Sequence, residues 1–112
     1  MLDRPAIELL CEQIGPDSVR ELAEMLFEDL VLALDGLAAA VASQDRVALS
    51  ATAHKTKSSA RALGAEALGN VLHLLEQEGP EADWQVLDGL VEQARGVVEQ
   101  TRVALNADLA GR

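Results

Sequence analysis

Aromatic side chains are almost missing from this 112-residue chain, which has one Phe (Phe27), one Trp (Trp84) and no Tyr. Strands draw heavily on Tyr, Phe, Ile and Thr, so an apolar content of 49 % that is rich in Leu, Ala and Val favours helices instead. Cysteine is limited to Cys11, which excludes an internal disulfide and fits a reducing compartment. No run of about 18 apolar residues occurs, so no membrane span and no membrane partner are expected. The opening stretch MLDRPAIELL has an early Asp and no basic n-region, so it does not read as a secretory signal peptide. The expected location is the cytoplasm, and Met1 just ahead of the first helix leads us to expect a free-standing chain. Basic residues are scarce as well. Nine Lys and Arg face nineteen Asp and Glu, a net charge of −10, which argues against nucleic acid, since phosphate contacts need cationic side chains.

The few bases are unevenly placed. Residues 1–45 hold ten acids against two bases, and residues 66–112 hold nine against three. Between them, residues 46–65 contain no Asp or Glu and four bases, Arg46, Lys55, Lys57 and Arg61. A cationic patch on an anionic body is a footprint for an anion or an acidic partner.

Length allows one domain with one core, residues 1–112. Asp3 and Pro5 suit the start of a short first helix, with Ile7, Leu10, Cys11 and Ile14 on one face. Gly15-Pro16 ends it, and Ser18 with Glu21 reads as a capping box for a long second helix. Leu22, Met25, Leu26, Leu30, Leu34, Leu37 and Val41 give that helix an apolar stripe, and it breaks near Ser43. A third helix spans about Asp45 to Leu63, with Gly64 placed as its terminal glycine. A fourth covers about Ala65 to Gln77, with Leu68, Val71, Leu72 and Leu75. Gly79-Pro80 marks a turn, and a fifth helix runs from about Glu81 to Leu109. The expected fold is all-α: an up-down-up-down four-helix bundle with a short N-terminal capping helix. Phe27 is expected in the core, Cys11 as a small packing residue, and Trp84 as a seal at the bundle end.

At 100° per residue, His54, Lys57, Ser58 and Arg61 share about a third of the third helix's circumference, and Ser50 extends the stripe by a turn. Leu49, Thr52, Thr56, Ala60 and Leu63 lie opposite, so His54 is expected to face solvent. A neutral imidazole offers one ring nitrogen as a nucleophile, and a lysine beside it can hold a phosphoryl group by charge-assisted hydrogen bonds. Such a surface suits phosphoryl transfer in which the partner supplies the metal. His73 falls at about the level of His54 on the neighbouring helix. With Glu76 and Cys11 it is the nearest approach to a metal set, but the Glu-x-x-His pattern of bundle metal sites is missing, so none is expected.

The stretch AHKTKSSARALGA, Ala53 to Ala65, resembles the signature of histidine-containing phosphotransfer (HPt) domains. Ala53-His54 is followed by Lys57, the small pair Ser59-Ala60, and Leu63-Gly64. The likeness continues through LFEDL (Phe27, Asp29), SQDRVALSATAH (Asp45, Leu49) and ALGNVLHLLEQ, roughly Leu22 to Gln77. Two positions depart from the family: Ser58 stands where it usually has Gly, and Thr56 where it usually has an aliphatic residue. Thr56, on the core side, should bond its hydroxyl to the preceding turn.

The resemblance implies a phosphocarrier in a two-component phosphorelay. His54 would accept a phosphoryl group from the aspartyl phosphate of one receiver domain, in a hybrid sensor kinase, and pass it to that of a response regulator. It also implies that Lys57 positions the phosphate and that Glu76, 22 residues after the histidine, orients the imidazole through Nδ1–H. Ser50, Lys55, Ser58 and Arg61 are expected at the docking surface, and His73 is expected to matter little. No cofactor is expected on this chain, Mg²⁺ being supplied by the receiver. The absence of a Gly-rich nucleotide-binding element argues against autonomous ATP-dependent kinase activity, so the chain reads as a carrier and not an enzyme. The rival reading is a non-catalytic bundle, a degenerate HPt domain that binds a receiver or kinase without carrying phosphate.

Overall fold

A computed structural model describes residues 4–62 and 65–112. Asp3, Leu63 and Gly64, given roles above, lie outside the described residues. Five helices follow one another: α1 (Arg4–Ile14), α2 (Pro16–Ala42), α3 (Arg46–Ala62), α4 (Glu66–Glu78) and α5 (Trp84–Ala110). Helices α2 to α5 form a closed ring in which each packs on its sequence neighbour and α5 returns to α2, while α1 packs on α2. This is the expected four-helix bundle with an added N-terminal helix. At 1.5 Å per residue the two 27-residue helices, α2 and α5, span the 43 Å long axis. No helix among the described residues is long and apolar enough to cross a membrane.

The α1–α2 corner differs from the capping box expected at Ser18 and Glu21. Gly15 takes φ 85°, in the left-handed region that glycine tolerates, and its N–H closes α1 on the Cys11 carbonyl at 2.9 Å. Pro16 then begins α2, where its fixed φ fits and its missing N–H costs nothing. Ser18 is thus already inside the helix. The start of α3 is capped by side chain: Asp45 Oδ1 accepts the Ala48 N–H at 3.0 Å.

The core draws on Leu, Val and Ala from α2 to α5 and on Ile7 from α1, with Phe27 buried among them and Cys11 half-buried at its edge. Two stripes needed correction. In α2 the buried face runs through Val19, Ala23, Phe27, Leu30, Leu34, Leu37 and Ala40, whereas Leu22 and Met25 are 38 % and 64 % exposed. Apolar residues surround the first half of α2, so size does not decide which side turns inward, and small Ala23 takes a core place. Ile14 is likewise exposed at the end of α1. The stripe of α4 matches expectation, Leu68, Val71, Leu72 and Leu75 being buried, and α5 buries Leu87, Val91, Ala94 and Val98 inside the same ring.

Arg46, counted above in the cationic patch, has a structural task instead. Its guanidinium donates to the carbonyls of Gly79 and Ala82, each at 2.8 Å, and lies 4.4 Å over the Trp84 ring. The first residue of α3 thereby fastens the α4–α5 turn, and Trp84 closes that end of the bundle beneath it.

Candidate functional site

Helix α3 is anchored by Leu49, Ala53, Thr56 and Ala60, all buried, which turns His54 outward. The Thr56 hydroxyl donates to the Thr52 carbonyl at 2.6 Å, so this polar residue sits in the core with its donor satisfied. Thr52 itself is half-buried.

Facing residues on α3 and α4 form a ladder. Arg61 lies across Gly69, with its Cγ 3.6 Å from where a β-carbon would stand. Lys57 Nζ approaches His73 Nδ1 at 3.4 Å, and His54 Nδ1 approaches Glu76 Oε2 at 3.0 Å. At the last rung Ser50 meets Gly79 so closely that a β-carbon there would fall 2.6 Å from Ser50 Oγ, so this position requires glycine. The Ser50 hydroxyl is buried with no hydrogen-bond partner among the described residues, which removes it from the docking surface where it was expected. The polar stripe ends at His54, because Gly79 crosses over the turn before it.

His54 is 70 % exposed at its side chain and Glu76 27 %, while Lys57 is only 11 % exposed. Lysine was expected on the surface beside His54, but its long stem runs along the seam and its ammonium bonds Glu76 Oε2 at 3.0 Å. One carboxylate oxygen therefore serves both His54 and Lys57. The Lys57 hydrogen bond is the main cause that holds the Glu76 carboxyl below its ordinary range, with His54 adding to it and partial burial opposing. An ionised carboxylate only accepts, so His54 Nδ1 must carry the proton that it shares with Glu76. That leaves the Nε2 lone pair directed away from Glu76 on an exposed ring.

Ser58, Lys55 and Arg61 are exposed around His54. Lys55 also borders a shallow groove between α2 and α3 lined by Asp29, Leu30, Gly36 and Ser59. His73 is half-buried and stands level with Lys57 rather than with His54, one turn from its expected place. Its neighbour is therefore an ammonium. Among the described residues no group of three or more His, Cys, Asp or Glu side chains is placed to hold a metal ion. The two features that the sequence did not expose are the inward turn of Lys57 and its contact with His73. Gly69, one turn before His73, lets Arg61 lie close against α4, but nothing in the sequence marked the path of the Lys57 stem.

Comparison with known proteins adds to this geometry. The sequence profile of the Hpt domain matches residues 21–109. Among solved structures, the histidine-containing phosphotransfer protein B (HptB) from Pseudomonas aeruginosa PAO1 aligns with a TM-score of 0.84 at 24 % identity, over 99 % of this chain and 96 % of that one. None of the curated proteins matches the chain.

Proposed function

This chain belongs to the Hpt domain family, which places it among phosphotransfer domains, and on that footing we propose that it is a phosphocarrier using His54 as the acceptor. The observation that carries the reading is the 3.0 Å contact of His54 Nδ1 with Glu76, which leaves Nε2 as an exposed nucleophile. In the forward step Nε2 attacks the phosphorus of a receiver's aspartyl phosphate. The N–P bond forms as the O–P bond breaks, and the aspartate leaves as a carboxylate. The ring keeps its Nδ1 proton and gains positive charge, which Glu76 faces and stabilises. Lys57 contributes a charge-assisted hydrogen bond to the phosphoryl oxygens, and the receiver supplies Mg²⁺. Reversal of these steps delivers the group to the aspartate of a second receiver. Lys55, Ser58 and Arg61 surround the acceptor, and we assign them to docking of the receiver of a hybrid sensor kinase and that of a response regulator. The whole chain acts as one domain, in the cytoplasm, without a cofactor of its own and without ATP-dependent kinase activity.

The test is transfer from a radiolabelled receiver domain, followed by mapping of the acid-labile label. Label on His54, and its loss in His54→Gln with the bundle still folded, is the expected result. Binding of the receiver with no label on the chain would instead establish the non-catalytic module.

A further inference from the structure

His73 has no task in the transfer described above, yet it occupies the centre of the α3–α4 seam. It is half-buried, and its Nδ1 is 3.4 Å from the Lys57 ammonium. An ammonium has three N–H donors and no acceptor, so at this contact Lys57 donates and His73 accepts. His73 is therefore neutral in this arrangement and carries its proton on Nε2. A second N–H of the same ammonium goes to Glu76 Oε2 at 3.0 Å. One donor remains.

We propose that His73 is the positioning residue for Lys57. In its neutral form it holds the ammonium in one place beside Glu76, with the third N–H left for an oxygen of the phosphoryl group on His54. Protonation of His73 releases the lysine. This use of Lys57 rests on the phosphocarrier reading, while the His73–Lys57 contact does not.

A lysine tied only to Glu76 would pivot about a single oxygen that it also shares with His54. The imidazole supplies a second fixed point, so the rotamers of a flexible four-carbon stem are set before the phosphoryl group arrives. Protonation turns the acceptor into a donor and places a second cation against the first, so the contact must break. The charged groups around His73 are few. From α3 they are Lys57 and, one turn on, Arg61 lying across Gly69. Glu76 follows His73 by three residues on α4, and α5, the other helix packed on α4, buries no charged side chain. Above pH 5.5 the Glu76 carboxyl, held below its ordinary range by Lys57, stays ionised, so acid acts on the lysine through His73.

Phosphoryl uptake by the full chain from potassium phosphoramidate, measured across pH 5.5 to 8.5, tests the proposal. His73→Ala should slow uptake about three- to tenfold at neutral pH, the worth of one positioned hydrogen bond. His73→Asn, whose amide oxygen replaces Nδ1 as the acceptor, should restore the rate to within about twofold. In acid, wild-type uptake should fall further than that of the Asn variant, by no more than the factor lost in His73→Ala. An unchanged rate in His73→Ala overturns the proposal. A second measurement needs no transfer: nitrogen-15 NMR of the His73 ring at pH 8 should show Nδ1 unprotonated and hydrogen-bonded, and its resonance should shift in Lys57→Met as that bond is lost. An unmoved Nδ1 resonance also overturns it. Failure of the wild type to take phosphate on His54 would defeat the phosphocarrier reading, and the Nδ1 resonance would then decide the contact alone.

Discussion

Lys57 and Glu76 form an ion pair of 3.0 Å in which the lysine side chain is only 11 % exposed. This pair links the two helices that carry the site, so its loss is expected to affect both folding and chemistry. Because Glu76 titrates below its ordinary value when folded, the interaction contributes stability above the unfolded glutamate value of about 4.3. That contribution is lost as pH falls through the lower folded value. Chemical denaturation of wild type and Glu76→Gln from pH 7 to pH 3 should show a stability gap that holds down to about pH 5 and narrows below it. A gap of constant size would mean that Glu76 is not stabilised by its charge.

Lys57 separates the two roles by the choice of replacement. Lys57→Met keeps the apolar stem in the seam and should fold close to normally, while transfer slows by about tenfold or more, as expected for loss of a charge-assisted bond. Lys57→Ala should show the same slowing with an added loss of stability, because the stem is packed. Equal transfer rates for wild type and Lys57→Met would leave Lys57 a structural residue.

Ser58 offers a test of how closely a receiver approaches. It is exposed one turn after His54, where the family resemblance implies a glycine. Ser58→Gly is expected to cost about 1 kcal/mol of stability or less and to speed transfer, since the hydroxymethyl group stands at the contact. Slower transfer in a folded variant would make the hydroxyl a phosphate ligand.

Arg46→Ala removes two hydrogen bonds to the α4–α5 turn and the stacking on Trp84. A loss of about 2 kcal/mol is expected in urea unfolding, with transfer by the folded protein unchanged because His54 lies two turns away. Slower transfer at full stability would give Arg46 a part in the cationic patch as well as in the turn.

How far these features were legible in the sequence depends on the kind of force that sets them. Periodicity placed the helices and turned His54 outward, since a core side of Leu49, Thr52, Thr56 and Ala60 leaves the opposite side for it; in the structure Ala53 is buried where half-buried Thr52 was expected. The 22-residue spacing of His54 and Glu76 came from the family resemblance, and the observed hydrogen bond has the geometry which that spacing implied. Lys57 was misread because a helical wheel fixes a β-carbon and says nothing of the path of a long stem. Ser50 was misread because its hydroxyl is covered by a turn 29 residues away in sequence. On α2, Leu22 and Met25 competed with Val19, Ala23 and Phe27 for the same interior, and only the neighbouring helices could decide between them.

The four rungs between α3 and α4 carry a consequence for how such a chain can change in length. Arg61 with Gly69, Lys57 with His73, His54 with Glu76 and Ser50 with Gly79 all meet through one shared register. A single residue inserted in α4 ahead of His73 would rotate everything after it by about 100°. His54 would lose Glu76 and Lys57 would lose both of its partners in one event, while α3 itself stayed intact. A point substitution along this seam disturbs one rung at a time, whereas an insertion or deletion ahead of His73 disturbs every rung that follows. Changes of length are tolerated outside it, for instance ahead of α1, which meets the ring through α2.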